Sequence, residues 1–174
     1  GHAAAGRHTA ELMAYLIRPA RAEDMDAIAA LNDAAFGGPE EGAIVHALRR
    51  DGDSLLSLVA TEREVIIGHI QFFRIQVDGR PEATGLGPMS VKPGLQKQGV
   101  GARLIQHGLA ALKEAGETII FVLGHDTYYP KFGFSAATAK PFNAPWSGPH
   151  FMALRLAPGG PERGTLTYPA AFGG

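Results

Sequence analysis

A mixed α/β domain is the fold class that this sequence predicts, and three observations predict it. Two β-rich apolar runs, residues 55–61 and 65–77, flank the charged Glu62-Arg63-Glu64 and read as an antiparallel hairpin. A helical pattern over residues 99–115 lies between strand-like runs at 83–91 and 118–123, which implies a right-handed β-α-β crossover with parallel strands. The chain has 174 residues, 45% of them hydrophobic, enough for one substantial core and too few for two. One domain over residues 14–174 is therefore expected.

Taken in order, residues 1–13 are small, polar and aperiodic, and are expected to be a tail outside that domain. Residues 15–18 form a short strand stopped by Pro19. Between 24 and 36, Met25, Ile28, Ala29, Leu31, Ala35 and Phe36 recur at helical spacing, and Gly37-Gly38-Pro39 ends the helix. A second helix follows over Glu40–Arg50, burying Ile44, Val45 and Leu48, before the turn Asp51-Gly52-Asp53. After the hairpin, Asp78-Gly79-Arg80-Pro81 turns the chain into the strand at 83–91. That strand carries Gly85, Gly87 and Pro88, an odd content, because proline in a sheet is confined to edges and bulges. In the helix at 99–115, Gly101, Leu104, Ile105, Gly108, Leu109 and Leu112 share one face, and Gly116 terminates it. The strand at 118–123 is continuously apolar. Residues 128–132 make one helical turn, 150–156 alternate as a strand, and 164–168 are expected as a last edge strand whose open side can pair with another chain. Monomer and homodimer both remain open.

Composition excludes several classes of function. Charged residues are 19%, the formal net charge is −1 and the pI is about 6.7, so nothing draws the chain to nucleic acid or to an anionic membrane. A small-molecule partner is expected instead. No apolar run approaches the ~20 residues that span a bilayer, and no secretory leader is evident, so a cytoplasmic location and no membrane contact are expected. Cysteine is absent, which rules out disulfides, thiolate metal sites and an acyl-cysteine intermediate. The seven histidines (His2, His8, His46, His69, His107, His125, His150) show no His-x-x-x-His spacing, and no metal is expected.

The stretch Val91-Lys92-Pro93-Gly94-Leu95-Gln96-Lys97-Gln98-Gly99-Val100-Gly101 opens directly onto a helix, where backbone N–H groups have no intrahelical partner. The helix dipole favours an anion there, and two glycines allow a phosphate to approach the main chain. A pyrophosphate is the expected ligand. No Gly-x-x-x-x-Gly-Lys-Ser/Thr occurs, and the nearest Gly-x-Gly-x-x-Gly frame, from Gly85, ends in Ser90. If Pro88 marks a bulge, the strand splays from its neighbour at 118–123 and leaves main-chain groups of Met89 and Val91 free for an extended, amide-bearing ligand. The plain alternative is an ordinary edge distortion.

Gln96-x-x-Gly99-x-Gly101 after a strand resembles the acyl-CoA signature of the GNAT N-acetyltransferase superfamily, and Tyr129-x-Lys131-x-Gly133-Phe134 resembles the segment that closes the other side of its CoA cleft. Within it, Leu86-Gly-Pro-Met-Ser-Val91, Gly124-His-x-x-Tyr-Tyr-Pro-x-Phe-Gly-Phe134 and Tyr168-Pro-x-x-Phe172 resemble the YhbS-like branch. The resemblance implies a mixed, mostly antiparallel sheet of six or seven strands splayed into a V and flanked by about four helices. It implies acetyl-CoA as co-substrate, and direct acetyl transfer to a primary amine of a small molecule or peptide. Backbone amides of Gln96, Lys97, Gln98, Gly99, Val100, Gly101 and Ala102 would hold the pyrophosphate, with Met89 and Val91 on pantetheine.

By the same resemblance Tyr129 stands where a tyrosine protonates the departing thiolate, a transfer that a phenol of pKa ~10 can perform; otherwise it is a packed aromatic. The chain departs from the wider family in having His125 and Asp126 where an asparagine is common. His125 either helps deprotonate the amine or bonds local backbone. No carboxylate in the strand before Val91 offers a general base. Glu82, Glu40 and Glu41 are alternatives whose plainer reading is a solvated carboxylate, and a water would serve as well. His69 and Gln71 read as hydrogen-bonded core groups, and Trp146 either lids an acceptor pocket or covers the core. A non-catalytic acyl-CoA-binding or regulatory module is the rival reading.

Overall fold

The computed structural model describes residues 15–173, and the tail expected over residues 1–13 lies outside the described residues. Strand β1 (Leu16–Pro19) leads through a 3-10 turn into helix α1 (Met25–Phe36), followed by α2 (Glu40–Arg50). Strands β2 (Ser54–Glu62), β3 (Val65–Val77) and β4 (Arg80–Val91) then form an antiparallel meander. Helix α3 (Val100–Glu114) crosses to β5 (Ile119–Leu123), which pairs parallel with β4. After a 3-10 turn (Tyr129–Phe132) come α4 (Ala136–Ala139), β6 (Phe142–Asn143), β7 (Phe151–Arg155) and β8 (Gly164–Thr167). The order across the sheet is β1-β2-β3-β4-β5-β7, with β8 added to β3 and β6 added to β8. The mixed, mostly antiparallel sheet and four α-helices match the expected architecture, with the two short strands β6 and β8 bringing the sheet to eight.

Alternation along the strands divides the core between two faces of the sheet. Ile70, Phe72, Leu86, Ile120 and Val122 meet Val100, Leu104, Ile105 and Leu112 of α3 on one face. Phe73, Ile75, Phe121 and Phe151 meet Leu48 of α2 on the other, and Val59 packs on Ile28 and Val45 beside them. Two glycines set how closely α3 lies on β3. A Cβ at Gly68 would stand 2.9 Å from Val100 Cγ1, and one at Gly108 would collide with the Phe72 ring. Burial of these residues on the α3 face accounts for the crossover that the sequence predicts.

Polar locks fix the ends. Arg18 donates two hydrogen bonds to Asp24 (2.7 and 3.0 Å), which also accepts from the Arg21 backbone N–H, and this explains why a 3-10 turn over Ala22–Asp24 precedes α1. Arg74 grips Glu117 through two bonds (2.8 and 2.9 Å) while Thr84 Oγ1 donates to the same carboxylate, tying β3, β4 and the entry to β5 together. One expectation needs correcting. The strand β8 is not a free edge, because it pairs with both β3 and β6. On α1, Phe36 ends the helix 47% exposed, whereas Asn32 is fully buried.

Candidate active site

Gly87 and Pro88 together oppose the single residue Gln71. Ile70 pairs with Met89 and Phe72 with Leu86, so the β4 strand carries one extra residue at that point. Beyond Leu86, β4 no longer pairs with β5, whose parallel register covers only Thr84, Gly85 and Leu86. The two strands therefore part at the bulge. Alternate residues of an antiparallel strand turn their main-chain groups to opposite sides. Since the Lys92 N–H points to Ile67 O across β3, those of Met89 and Val91 turn toward the gap. One of them is already taken: Val91 O accepts from Gln96 Nε2 at 3.1 Å. The rest face a cavity of about 700 Å³.

The same cavity runs to the head of α3. That helix starts at Gly99 (φ +90) with no side-chain cap, and Lys97, with φ +65, also lies in the left-handed region. Such alternation turns successive N–H groups inward as an anion-binding nest. Among the described residues, none of the backbone N–H groups from Gln96 to Ala102 donates to a backbone carbonyl. Gln96, Lys97, Gly99, Gly101 and Ala102 line the cavity, as do Met89 and Val91. Gln98 and Val100 do not: Gln98 bonds Gly94 O, and the Val100 side chain is buried against β3. A methyl group at Gly101 would stand 3.4 Å from Met89 Cε and from Tyr128 Oη, so the absence of a side chain there keeps the passage open.

A second cavity, of about 490 Å³, lies on the far side of the bulge and shares Phe36, Met89, His125 and Tyr128 with the first. Tyr129 lines only this second cavity; it is 8% exposed and lies over Gly124, whose missing side chain makes room for the ring. Burial, with a contribution from Tyr128, pushes the Tyr129 hydroxyl up to about 12, so it is protonated at neutral pH and a weaker acid than an ordinary phenol. His125 is exposed at the junction of the cavities, and its backbone carbonyl accepts from the N–H groups of Tyr128 and Tyr129, holding the turn.

Tyr128, Ser90, Tyr168 and Phe172 carry no sequence signal that marks them as site residues, whereas Glu41 and Trp146 each carry one with two readings. Tyr128 lines both cavities, which the tandem Tyr128-Tyr129 did not apportion. Ser90, on the first cavity, is 4% exposed and its hydroxyl has no partner in the protein. Its cross-strand neighbour His69 is fully buried, with Nε2 bonded to Ser57 Oγ (2.9 Å) and Nδ1 accepting from Asn32 Nδ2 (3.5 Å). Burial pulls the His69 imidazole down to about 4, so it is neutral at pH 7. Glu41, Trp146, Tyr168 and Phe172 line the second cavity, a grouping that only distant segments folded together produce. Among the described residues, no cluster of three or more His, Asp and Glu side chains is arranged to hold a metal, and no helix is long and apolar enough to cross a membrane.

A cleft with an uncapped helix head at one end, a bulged and parted pair of strands in the middle and a tyrosine turn at the other suits a diphosphate with an extended amide arm. The orphaned Ser90 hydroxyl and the partner-free amides are the observations that fit such a group. Comparison with known proteins agrees. The acetyltransferase (GNAT) domain family matches residues 16–137. N-acetyltransferase YhbS of Escherichia coli K12 is 34% identical over 146 residues, spanning 82% of this chain and 87% of that protein. The crystal structure of E. coli YhbS in complex with CoA superimposes with a TM-score of 0.84 at 32% identity, over 91% of this chain and 92% of that one. A GNAT family acetyltransferase from Brucella melitensis, solved in complex with acetyl-CoA, gives a TM-score of 0.79 at 37% identity, over 91% and 97%.

Proposed function

Because this chain belongs to the GNAT N-acetyltransferase family, we propose that it binds acetyl-CoA in the β4/β5 cleft and transfers the acetyl group directly to a primary amine. One observation carries the reading: a row of backbone N–H groups without partners at the head of α3, opening into the gap beyond the β4 bulge. Acetyl-CoA supplies the acetyl group activated as a thioester. Main-chain N–H groups of Gln96, Lys97, Gly99, Gly101 and Ala102 hold its pyrophosphate, and the free main-chain groups of Met89 and Val91 hold its amide arm as a pseudo-strand.

The protein's own part in the chemistry is positioning and proton transfer. Cleft and second cavity meet at Met89, so thioester and amine are held in contact there, and proximity of this kind lowers the barrier by several kcal/mol. The Met89 N–H polarises the acetyl carbonyl. As the amine nitrogen bonds to the carbonyl carbon and the C–S bond breaks, the Tyr129 hydroxyl gives its proton to the sulfur. The proton leaving the amine goes to His125 or to water. Isothermal titration with CoA tests the binding half: no heat at sub-millimolar concentrations would remove the proposal. Binding of CoA with no acetyl transfer to any amine would leave an acyl-CoA-binding module in its place.

A further inference from the structure

The second cavity is unusual in what lines it. Phe73, Phe121, Trp146, Tyr168 and Phe172 form its walls, and several of these rings are already packed on one another: Trp146 stands edge-on to Tyr168 with centroids 4.4 Å apart, and Phe73 lies 4.5 Å from Phe172. Two of the chain's exposed large apolar side chains, Phe36 and Leu123, also line it. The lining includes one carboxylate, Glu41, and no lysine or arginine. Burial pushes the Tyr168 hydroxyl well above the ordinary phenol range, so it adds no negative charge.

We infer that this cavity is the acceptor site and that its substrate is a small arylalkyl amine, a primary ammonium on an aromatic body that bears no carboxylate or phosphate. The inference rests on the acetyltransferase reading above and narrows it. An ammonium is attracted both to the Glu41 carboxylate and to ring faces, while an aromatic body gains by burial against the walls. A volume of about 490 Å³ lies within the range of small-ligand sites. An amino acid would bring its α-carboxylate into a site that already holds Glu41 and has no lysine or arginine to meet it. A polyamine or an aminoglycoside would bury several charged or hydroxyl groups against rings that cannot bond them.

Trp146 is the only tryptophan in the chain and lines the cavity, so its fluorescence reports occupancy without turnover. The experiment titrates phenethylamine, phenylalanine and spermidine against the full chain with CoA present, and measures thiol release from acetyl-CoA with the same amines. Phenethylamine is expected to perturb Trp146 emission saturably and to give a kcat/KM at least 100-fold above those of phenylalanine and spermidine. Glu41→Gln should raise its KM about tenfold while leaving CoA affinity unchanged. Preference for phenylalanine or spermidine, an unchanged KM in Glu41→Gln, or CoA binding with phenethylamine neither bound nor acetylated would each overturn the inference. Failure of CoA itself to bind would instead fall on the acetyltransferase reading beneath it.

Discussion

Replacing Gly101 by alanine should move stability and cofactor affinity in opposite directions. Gly101 lies in the first turn of α3 with helical backbone, where alanine is the better helix former by roughly 0.5–1 kcal/mol. The added methyl group would make ordinary contacts at 3.4 Å with Met89 and Tyr128, so nothing must shift. It would nonetheless take up space in the cavity between helix head and tyrosine turn. The expected outcome is a Tm a few degrees higher in the absence of ligand, with CoA bound at least tenfold more weakly by titration, a loss of about 1.4 kcal/mol. Gly108→Ala, seven residues along the same helix, is the internal control. Its methyl group would enter the fully buried Phe72 ring, and overpacking of about 1–3 kcal/mol outweighs the propensity gain. That variant should lose Tm while its folded fraction keeps CoA affinity. Gly101→Ala binding CoA as tightly as the parent would refute the idea that ligand passes against the α3 main chain.

Further outcomes separate the roles of individual residues. Tyr129→Phe should lower kcat by about 10²-fold with CoA affinity unchanged; if Tyr128→Phe does this instead, the proton donor is the other hydroxyl of the pair. His69 titrates at about 4 in the fold against 6.5 when unfolded, so the unfolded chain takes up a proton that the native chain refuses. Its contribution, at most about 3 kcal/mol, is complete above pH 6.5 and lost as pH falls toward 4. Thermal melts between pH 7 and 4 should show that slope, and His69→Gln should flatten it; parallel curves would exclude His69 as its source. Asp24 is held at about 2 by the Arg18 hydrogen bonds, against desolvation, so its contribution is present above pH 3.8 and fades as pH falls toward 2. Asp24→Asn should therefore cost stability at pH 7 and progressively less toward pH 2, read by urea unfolding.

The elements with periodic patterns were legible residue by residue. Helix Glu40–Arg50 and strand Val65–Val77 have the bounds expected, because a helical apolar stripe and a β-rich run closed by turn residues are both local properties. Pro88 disclosed the β4 bulge for the same reason: a residue without an N–H excludes regular pairing wherever it falls. The short helix Ala136–Ala139 and the strand Phe142–Asn143 were not legible. Four residues with a Ser135 cap and two residues paired only to β8 carry no periodicity.

The chain's own order of residues determined the family, the sheet and the uncapped helix head, since each depends on backbone freedom and spacing within a few residues: glycines at 99 and 101, a proline at 88, a tyrosine turn after β5. Only the tertiary structure decided the lining of the second cavity. Glu41 from α2, Phe73 and Phe121 from the sheet, Trp146 from the loop before β7 and Phe172 from the C-terminal turn meet in one cavity because the sheet parts at β4 and segments more than a hundred residues apart close over the gap. Contacts between such distant residues leave no local pattern, because side chains that meet across a cavity constrain each other through space and not through spacing.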